Sequence, residues 1–402
     1  MLRQEDGDPI TNNEGKSQLN PEAVKPSTME KAKQFTKNAF EAAKKVPPAT
    51  YLSGLGYMIF LAGFIYFLIY KTSESTSQTQ EINYVNDLYP SANGYIRPID
   101  LDCSGNLYDY YIKTAYNCCS GGKMKSDYVE LDVLKAVLKS GVRCLDFEIF
   151  NIDNEPVVAT SVSDSYYVKE TFNFISFSEV MDLLNMYAFS SGNTPNPTDP
   201  LLLHLRFKSN SQTMFSNLAK LFKNYPLIML GKEYSYENEG KNIGATPLLE
   251  LKGKIMVIID KSNPAFLENE DLMEYVNLTS TSMFMRTYRY SKVKNVADLQ
   301  ELQEYNKKNL TIVLPDNEIN PTNPNGILCR EAGCQMVAMR YQYVDNYLEE
   351  NALFFDDAGL AFVLKPDELR YHEVTIPPPT AQNPDWSYET TPITSDYYDL
   401  SI

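Results

Sequence analysis

The stretch Gly141–Val158, GVRCLDFEIFNIDNEPVV, alternates in side-chain character with a period of two. Read as a strand, it sends Arg143, Leu145, Phe147 and Ile149 to one face and Cys144, Asp146, Glu148 and Phe150 to the other. Two carboxylates two residues apart on one strand face lie roughly 6–7 Å from each other along the backbone. Like charges that close need a cation, a shared proton or open water. A second stretch, PLLLHLRFKSN, repeats the alternation: Leu201, Leu203, Leu205 and Phe207 on one face, Leu202, His204, Arg206 and Lys208 on the other.

Around these strands, helical and strand-like runs take turns. DYVELDVLKAVLKS spaces Val129, Val133, Leu134, Val137 and Leu138 helically, and Gly141 ends it. FSEVMDLLNMYAF is a second amphipathic helix, with Ser178 as its expected cap and Glu179 in its first turn. MFSNLAKLFKNY is a third helix, and KGKIMVIIDK, GCQMVAMRYQ and AFVLKP are apolar strands. Such alternation over residues 100–374 predicts an α/β fold, a TIM-like (β/α) barrel of buried parallel strands wrapped by helices. In that barrel the leucine face of PLLLHLRF packs under the helices. His204 and Arg206 then share the interior with Asp146 and Glu148, near the mouth where sites are built.

Ahead of the barrel, residues 51–70, YLSGLGYMIFLAGFIYFLIY, run twenty residues without a charge, enough to span a hydrocarbon core. A buried core helix is the competing reading, but the run is apolar all round and carries tyrosines at its ends. Lys33, Lys37, Lys44 and Lys45 precede it and only Lys71 follows closely, which places the N-terminus in the cytosol and the barrel in a lumenal or external space. Two sequons, at Asn277 and Asn309, are compatible with that side. Residues 1–50 read as a disordered to weakly helical N-terminus, 71–99 as a polar tether and 375–402 as a disordered, acidic tail suited to docking a protein partner.

The 402-residue chain carries a net charge of −16, which argues against nucleic acid as a partner. Its six cysteines show no CxxC pairing with histidines, which disfavours zinc. Cys329 and Cys334 fit either a local disulfide or two small buried side chains. With two histidines in all, His204 and His372, proton-transfer chemistry near neutral pH has few candidates.

SGVRCLDFEIFNIDNEPVV, PLLLHLRF, LKGKIMVIIDK, REAGCQMVAMRYQ and AFVLKPDELR occur in an order that resembles the X and Y catalytic blocks of phosphoinositide-specific phospholipase C over residues 103–372. The resemblance implies a barrel that binds calcium and cleaves inositol phospholipids with two histidines. Tyr116 stands at the first histidine position and Val162 at the second. A valine transfers no proton, and tyrosine's ordinary pKa near 10 is far from that of a neutral-pH base. Asn117, Asp146 and Glu148 match calcium ligands, whereas Arg206 stands where the family has a third carboxylate. Basic phosphate-binding positions align with Ile258 and Asp260, and an arginine and a tyrosine with Ile312 and Leu314.

The expectation is therefore a membrane-held, catalytically degenerate member serving as a binding or scaffold module, phospholipid being one candidate ligand. No catalytic residue and no cofactor are expected. Asn117, Asp146, Glu148, His204 and Arg206 form a vestigial pocket, with Arg206 between the acids or, alternatively, turned to solvent over hydrated acids. Two other readings stay open: an active calcium-dependent phospholipase C using Asn117, Asp146 and Glu148, and a phosphodiesterase for another substrate using His204.

Overall fold

The computed structural model describes residues 28–402 except 45–46, 89–95, 166, 236–240, 374–376, 382, 384–385 and 387. The expected disorder of residues 1–27 lies outside that range. Two compact units are distinguished, Met1–Tyr70 and Lys71–Ile402. In the first, α1 (Thr28–Lys44) is followed by the start of α2 (Pro48–Leu88). Leu52–Tyr70 within α2 is long and apolar enough to cross a membrane, and side chains on all its sides, including Leu55, Ile59, Phe60 and Tyr66, are exposed. Of the polar tether expected over 71–99, residues 71–88 are helical, as the continuation of α2 to Leu88, and 89–95 lie outside the described residues.

In the second unit, thirteen strands are described. They are β1 (Tyr110–Ala115), β2 (Cys144–Ile152), β3 (Glu155–Ala159), β4 (Ile175–Ser176), β5 (Leu201–Lys208), β6 (Ile255–Asp260), β7 (Leu278–Ser280), β8 (Met285–Arg289), β9 (Leu310–Leu314), β10 (Met336–Met339), β11 (Phe362–Leu364), β12 (Pro392–Ser395) and β13 (Tyr398–Ser401). Eight of them pair in parallel in the order β7-β6-β5-β2-β1-β10-β9-β8, a nearly closed barrel whose ends, β7 and β8, are sequence neighbours. AFVLKP departs from the expected parallel arrangement. Its β11 lies antiparallel against β1, outside the ring, with Phe362 opposite Ile112.

Period-two alternation sorts the strand side chains into two cores. Leu145, Phe147, Ile149, Leu201, Leu203 and Leu205 join the helix-facing core, while Cys144, Leu202, Met256, Ile258 and Ile312 fill the barrel axis. Between strands and helices, Phe177 makes edge contacts with Phe147 and Phe222 at 6.2 Å each. Such pairs add about 0.5–1.5 kcal/mol beyond the area they bury. Phe177 belongs to α3 (Phe177–Tyr187), where the cap is Ser176 rather than Ser178. Glu179 closes the reciprocal bond to the Ser176 amide, because β4 runs directly into the helix and shifts its start by two residues. Gly141 adopts φ +79°, and a Cβ there would press on Ile96 and Pro195 at 3.2–3.3 Å, so glycine permits the turn into β2.

Two sequence readings change in three dimensions, and one pair of open alternatives narrows to the second. The tail forms an exposed antiparallel hairpin, β12 with β13, instead of being disordered throughout. Asn277 is buried, accepting from the Val257 amide at 2.8 Å and donating to the Tyr234 carbonyl at 3.2 Å, so its sequon is structural in the folded chain. Cys329 and Cys334 are buried free thiols.

Lys365, at the end of AFVLK, is buried and donates to the Asn306 carbonyl at 2.8 Å. Burial pushes its ammonium down to about 7 despite the Asp109 carboxylate nearby. An unfolded lysine holds its proton to about pH 10.4. Between those values the unfolded chain binds more protons, so this residue's contribution makes stability rise with pH. Urea melts in detergent should show wild type gaining stability over Lys365→Met as pH goes from 7 to 10; parallel pH profiles would contradict the assignment.

Candidate functional site

The barrel mouth is built chiefly by β2, β5 and the chain that follows β1. Register places Asp146 opposite His204 and Glu148 opposite Arg206. Asn117, just past β1, takes φ +42°, a left-handed conformation that asparagine tolerates better than most residues. That turn brings its amide over the two acids.

Arg206 lies between them. Its Nε donates to Asp146 Oδ1 at 2.9 Å and its Nη2 to Asp146 Oδ2 at 2.8 Å, a two-pronged pair. Nη1 donates to Glu148 Oε1 at 3.0 Å, and Nη2 also to Asn117 Oδ1 at 3.0 Å. The three charged side chains are at most 3% exposed. Burial opposes charge on both Asp146 and Arg206. For Asp146 the guanidinium and the His204 hydrogen bond outweigh it and hold the carboxyl below the usual range. For Arg206 the neighbouring Asp146, Tyr116 and Glu148 outweigh it and hold the cation firmly. Glu148 Oε2 accepts from both the amide and the hydroxyl of Ser161, each at 2.9 Å.

His204 is fully buried, with Nδ1 2.7 Å from Asp146 Oδ1 and Nε2 2.8 Å from Ser280 Oγ. In the neutral ring Nδ1–H donates to the carboxylate and Nε2 accepts from the hydroxyl. Asp146, His204 and Ser280 thus stand in the order acid, base, hydroxyl of a nucleophilic relay. Ser280 is completely buried, however, and the cavity at the mouth is lined by other residues, including Asp164, Arg206, Lys208 and Asp260. The line is a satisfied hydrogen-bond chain that fixes the tautomer and orientation of His204.

At the two positions matched to histidines, the structure places an aromatic ring beside two guanidiniums and a loop valine. The Tyr116 ring lies 5.0 Å from the Arg206 guanidinium and 6.0 Å from that of Arg289, and its hydroxyl is 3.4 Å from Arg289 Nη1. Val162 sits in the loop after β3, its amide donating to Glu170 Oε2 at 2.7 Å. Ile258, Ile312 and Leu314 are buried in the barrel axis, and His372 is exposed away from the mouth cavity.

Two charged residues of the mouth escaped the sequence reading. Asp164, in the loop after β3, accepts from Arg289 through both carboxylate oxygens and from Arg206 Nη1 at 3.4 Å. Burial raises its pKa, but the bonds from Arg289 and the charges of Arg206 and Arg289 outweigh this and hold it well below the usual range. Arg289, at the end of β8, also donates to the Pro315 carbonyl at 2.7 Å. Its separation of 125 residues from Asp164 leaves no local pattern to find. The cavity beside this cluster is about 50 Å³, against the several hundred that an organic ligand occupies. Among the described residues no group of three or more His, Cys, Asp or Glu side chains is arranged to hold a metal.

Comparison with known proteins bears on fold and family. Family models for the X domain and the Y domain of phosphatidylinositol-specific phospholipase C match residues 103–261 and 266–368, well over half of the chain together. The human 1-phosphatidylinositol 4,5-bisphosphate phosphodiesterase gamma-2 is 26% identical over 147 residues, 33% of this chain and 12% of the relative. The Bos taurus delta-4 enzyme of the same description is 35% identical over 99 residues, 24% of this chain and 12% of the relative. The chain therefore matches only about an eighth of the length of these relatives. Among solved structures, L. pealei PLC21 superposes with a TM-score of 0.54 at 18% identity, over 67% of this chain and 38% of that one, a likeness of fold. With both blocks matched in order on one barrel, the chain belongs to the phosphatidylinositol-specific phospholipase C family.

Proposed function

We propose that this chain is a non-catalytic member of its family: a membrane-anchored barrel that serves as a binding or scaffold module. The observation that carries the reading is the Arg206 guanidinium, hydrogen-bonded at once to Asp146, Glu148 and Asn117. These are the side chains the resemblance assigns to calcium. A fixed cation within 3.0 Å of each of them opposes a divalent ion both by volume and by charge, so the donor set does not fit calcium. Tyr116 and Val162 supply no acid–base pair at the matched positions, and the mouth cavity is too small for an inositol ring with its phosphate.

The anchor is Leu52–Tyr70, and the lysine bias before it puts the N-terminus in the cytosol and the barrel across the membrane. Partner contact is assigned to the exposed acidic hairpin of β12 and β13, which carries the exposed tyrosines Tyr397 and Tyr398. The full chain in phosphatidylinositol vesicles with 1 mM calcium (roughly the range of weak protein calcium sites) should release no inositol phosphate above a protein-free control. Calcium-dependent release that disappears in Asp146→Asn would establish an active phospholipase C instead.

A further inference from the structure

The loop that carries Val162 brings one carboxylate into a ring of cationic and amide donors. Asp164 meets Arg289 Nε at 3.1 Å, Asn317 Nδ2 at 3.1 Å and Arg206 Nη1 at 3.4 Å, with Arg289 Nη2 and Lys208 Nζ completing the set, the latter at 3.8 Å. These donors come from β5, β8 and the chain after β9, elements whose mutual positions the barrel fixes. The carboxylate comes from a loop, and its side chain remains 49% exposed. Lys208 holds the same loop by donating to the Ser163 carbonyl at 3.0 Å.

The charges within this cluster are unequal in their commitments. Arg206 is tied to the two acids beneath it, Asp146 and Glu148. Arg289 and Lys208 have Asp164 as their carboxylate partner among the ion pairs here. Removing that one carboxylate would leave a planar guanidinium fork, an ammonium and an amide pointing at a common point near the barrel opening. Such a set suits a tetrahedral oxyanion with several acceptor oxygens better than it suits a single carboxylate.

We propose that Asp164 is a tethered counter-anion that keeps an anion site closed, and that a phosphate monoester displaces it to bind Arg289, Lys208 and Asn317. The loop Ser161–Ser165 is the moving part. The proposal rests on the reading above in one respect, that Arg206 stays paired with Asp146 and Glu148; calcium titration tests that pairing, whereas phosphate affinity tests this one. The phosphate group belongs equally to a soluble ester or to a lipid headgroup.

The test uses the full chain in detergent micelles or nanodiscs, with inorganic phosphate in one arm and phosphatidic acid against phosphatidylcholine in the other. Asp164→Asn should bind phosphate at least tenfold more tightly than wild type, and Asp164→Asn combined with Arg289→Gln should lose the gain. Tightening toward inorganic phosphate identifies a soluble ligand class; tightening confined to phosphatidic acid identifies a headgroup. Equal affinity of wild type and Asp164→Asn in both arms overturns the proposal. Should Asp164→Asn fold poorly, hydrogen exchange on wild type decides: saturating phosphate or phosphatidic acid should speed exchange of the amides of residues 161–165 severalfold, and unchanged rates with both overturn it.

Discussion

Arg206→Met should destabilise the folded chain by roughly 3–5 kcal/mol, because it leaves the buried Asp146 and Glu148 without their cation. Methionine fills much of the same space, so lost packing contributes little of the effect. A change of that size corresponds to a fall in Tm on the order of 10 °C. Two controls separate charge from volume. Adding Asp146→Asn and Glu148→Gln to Arg206→Met should recover a large part of the loss, since neutral amides need no cation. The penalty should also be smaller at pH 5 than at pH 8. In wild type the Asp146 carboxyl titrates below its usual range, so its stabilising contribution is present above about pH 4 and fades below. In the variant, burial without the guanidinium raises the acids' pKa, so protonation relieves the strain as pH falls. Equal stability of Arg206→Met and wild type at pH 8 would mean the pair contributes nothing.

Much of this arrangement is legible along the chain because strands have a period of two. Once CLDFEIF and LLLHLRF are read as parallel neighbours, Asp146, Glu148, His204 and Arg206 must share the barrel interior. Register then sets Glu148 beside Arg206 without further information. What the chain conceals is carried by loops and long separations. Asp164 has no periodic context, and its arginine partners lie 42 and 125 residues away. The serine at the far end of the His204 hydrogen-bond chain is 76 residues distant and belongs to a three-residue strand too short to recognise. Local propensity also misled in identifiable ways. TSESTSQTQEINYVNDL is polar enough to read as a non-helical segment, yet it continues the helix begun by the apolar run. AFVLKP has the apolar character of a ring strand, but it follows the last ring strand and folds back antiparallel on β1.

Arg206→Glu should have the opposite consequence for metal chemistry. It replaces the guanidinium with a third carboxylate beside Asp146, Glu148 and the Asn117 amide oxygen, an all-oxygen set of the kind calcium accepts with water filling the remaining positions. Without metal the variant should be less stable than Arg206→Met, because three acids are then crowded in a buried space. With calcium at about a hundred times its Kd, binding to the folded form should return roughly 2.7 kcal/mol. Magnesium should return less, since it demands a smaller and more regular cage. Failure of calcium to raise the Tm of a folded Arg206→Glu chain would mean that the surrounding loops, and not the guanidinium, close the site.

Isothermal titration of calcium into wild type and Arg206→Glu, side by side in detergent, reads the central claim most directly. The expected result is saturable heat for the variant and none for wild type through the millimolar range in which weak calcium sites fill. Saturable calcium binding by wild type that vanishes in Asp146→Asn would contradict it, since the guanidinium would then have to leave its carboxylate partners to admit the ion.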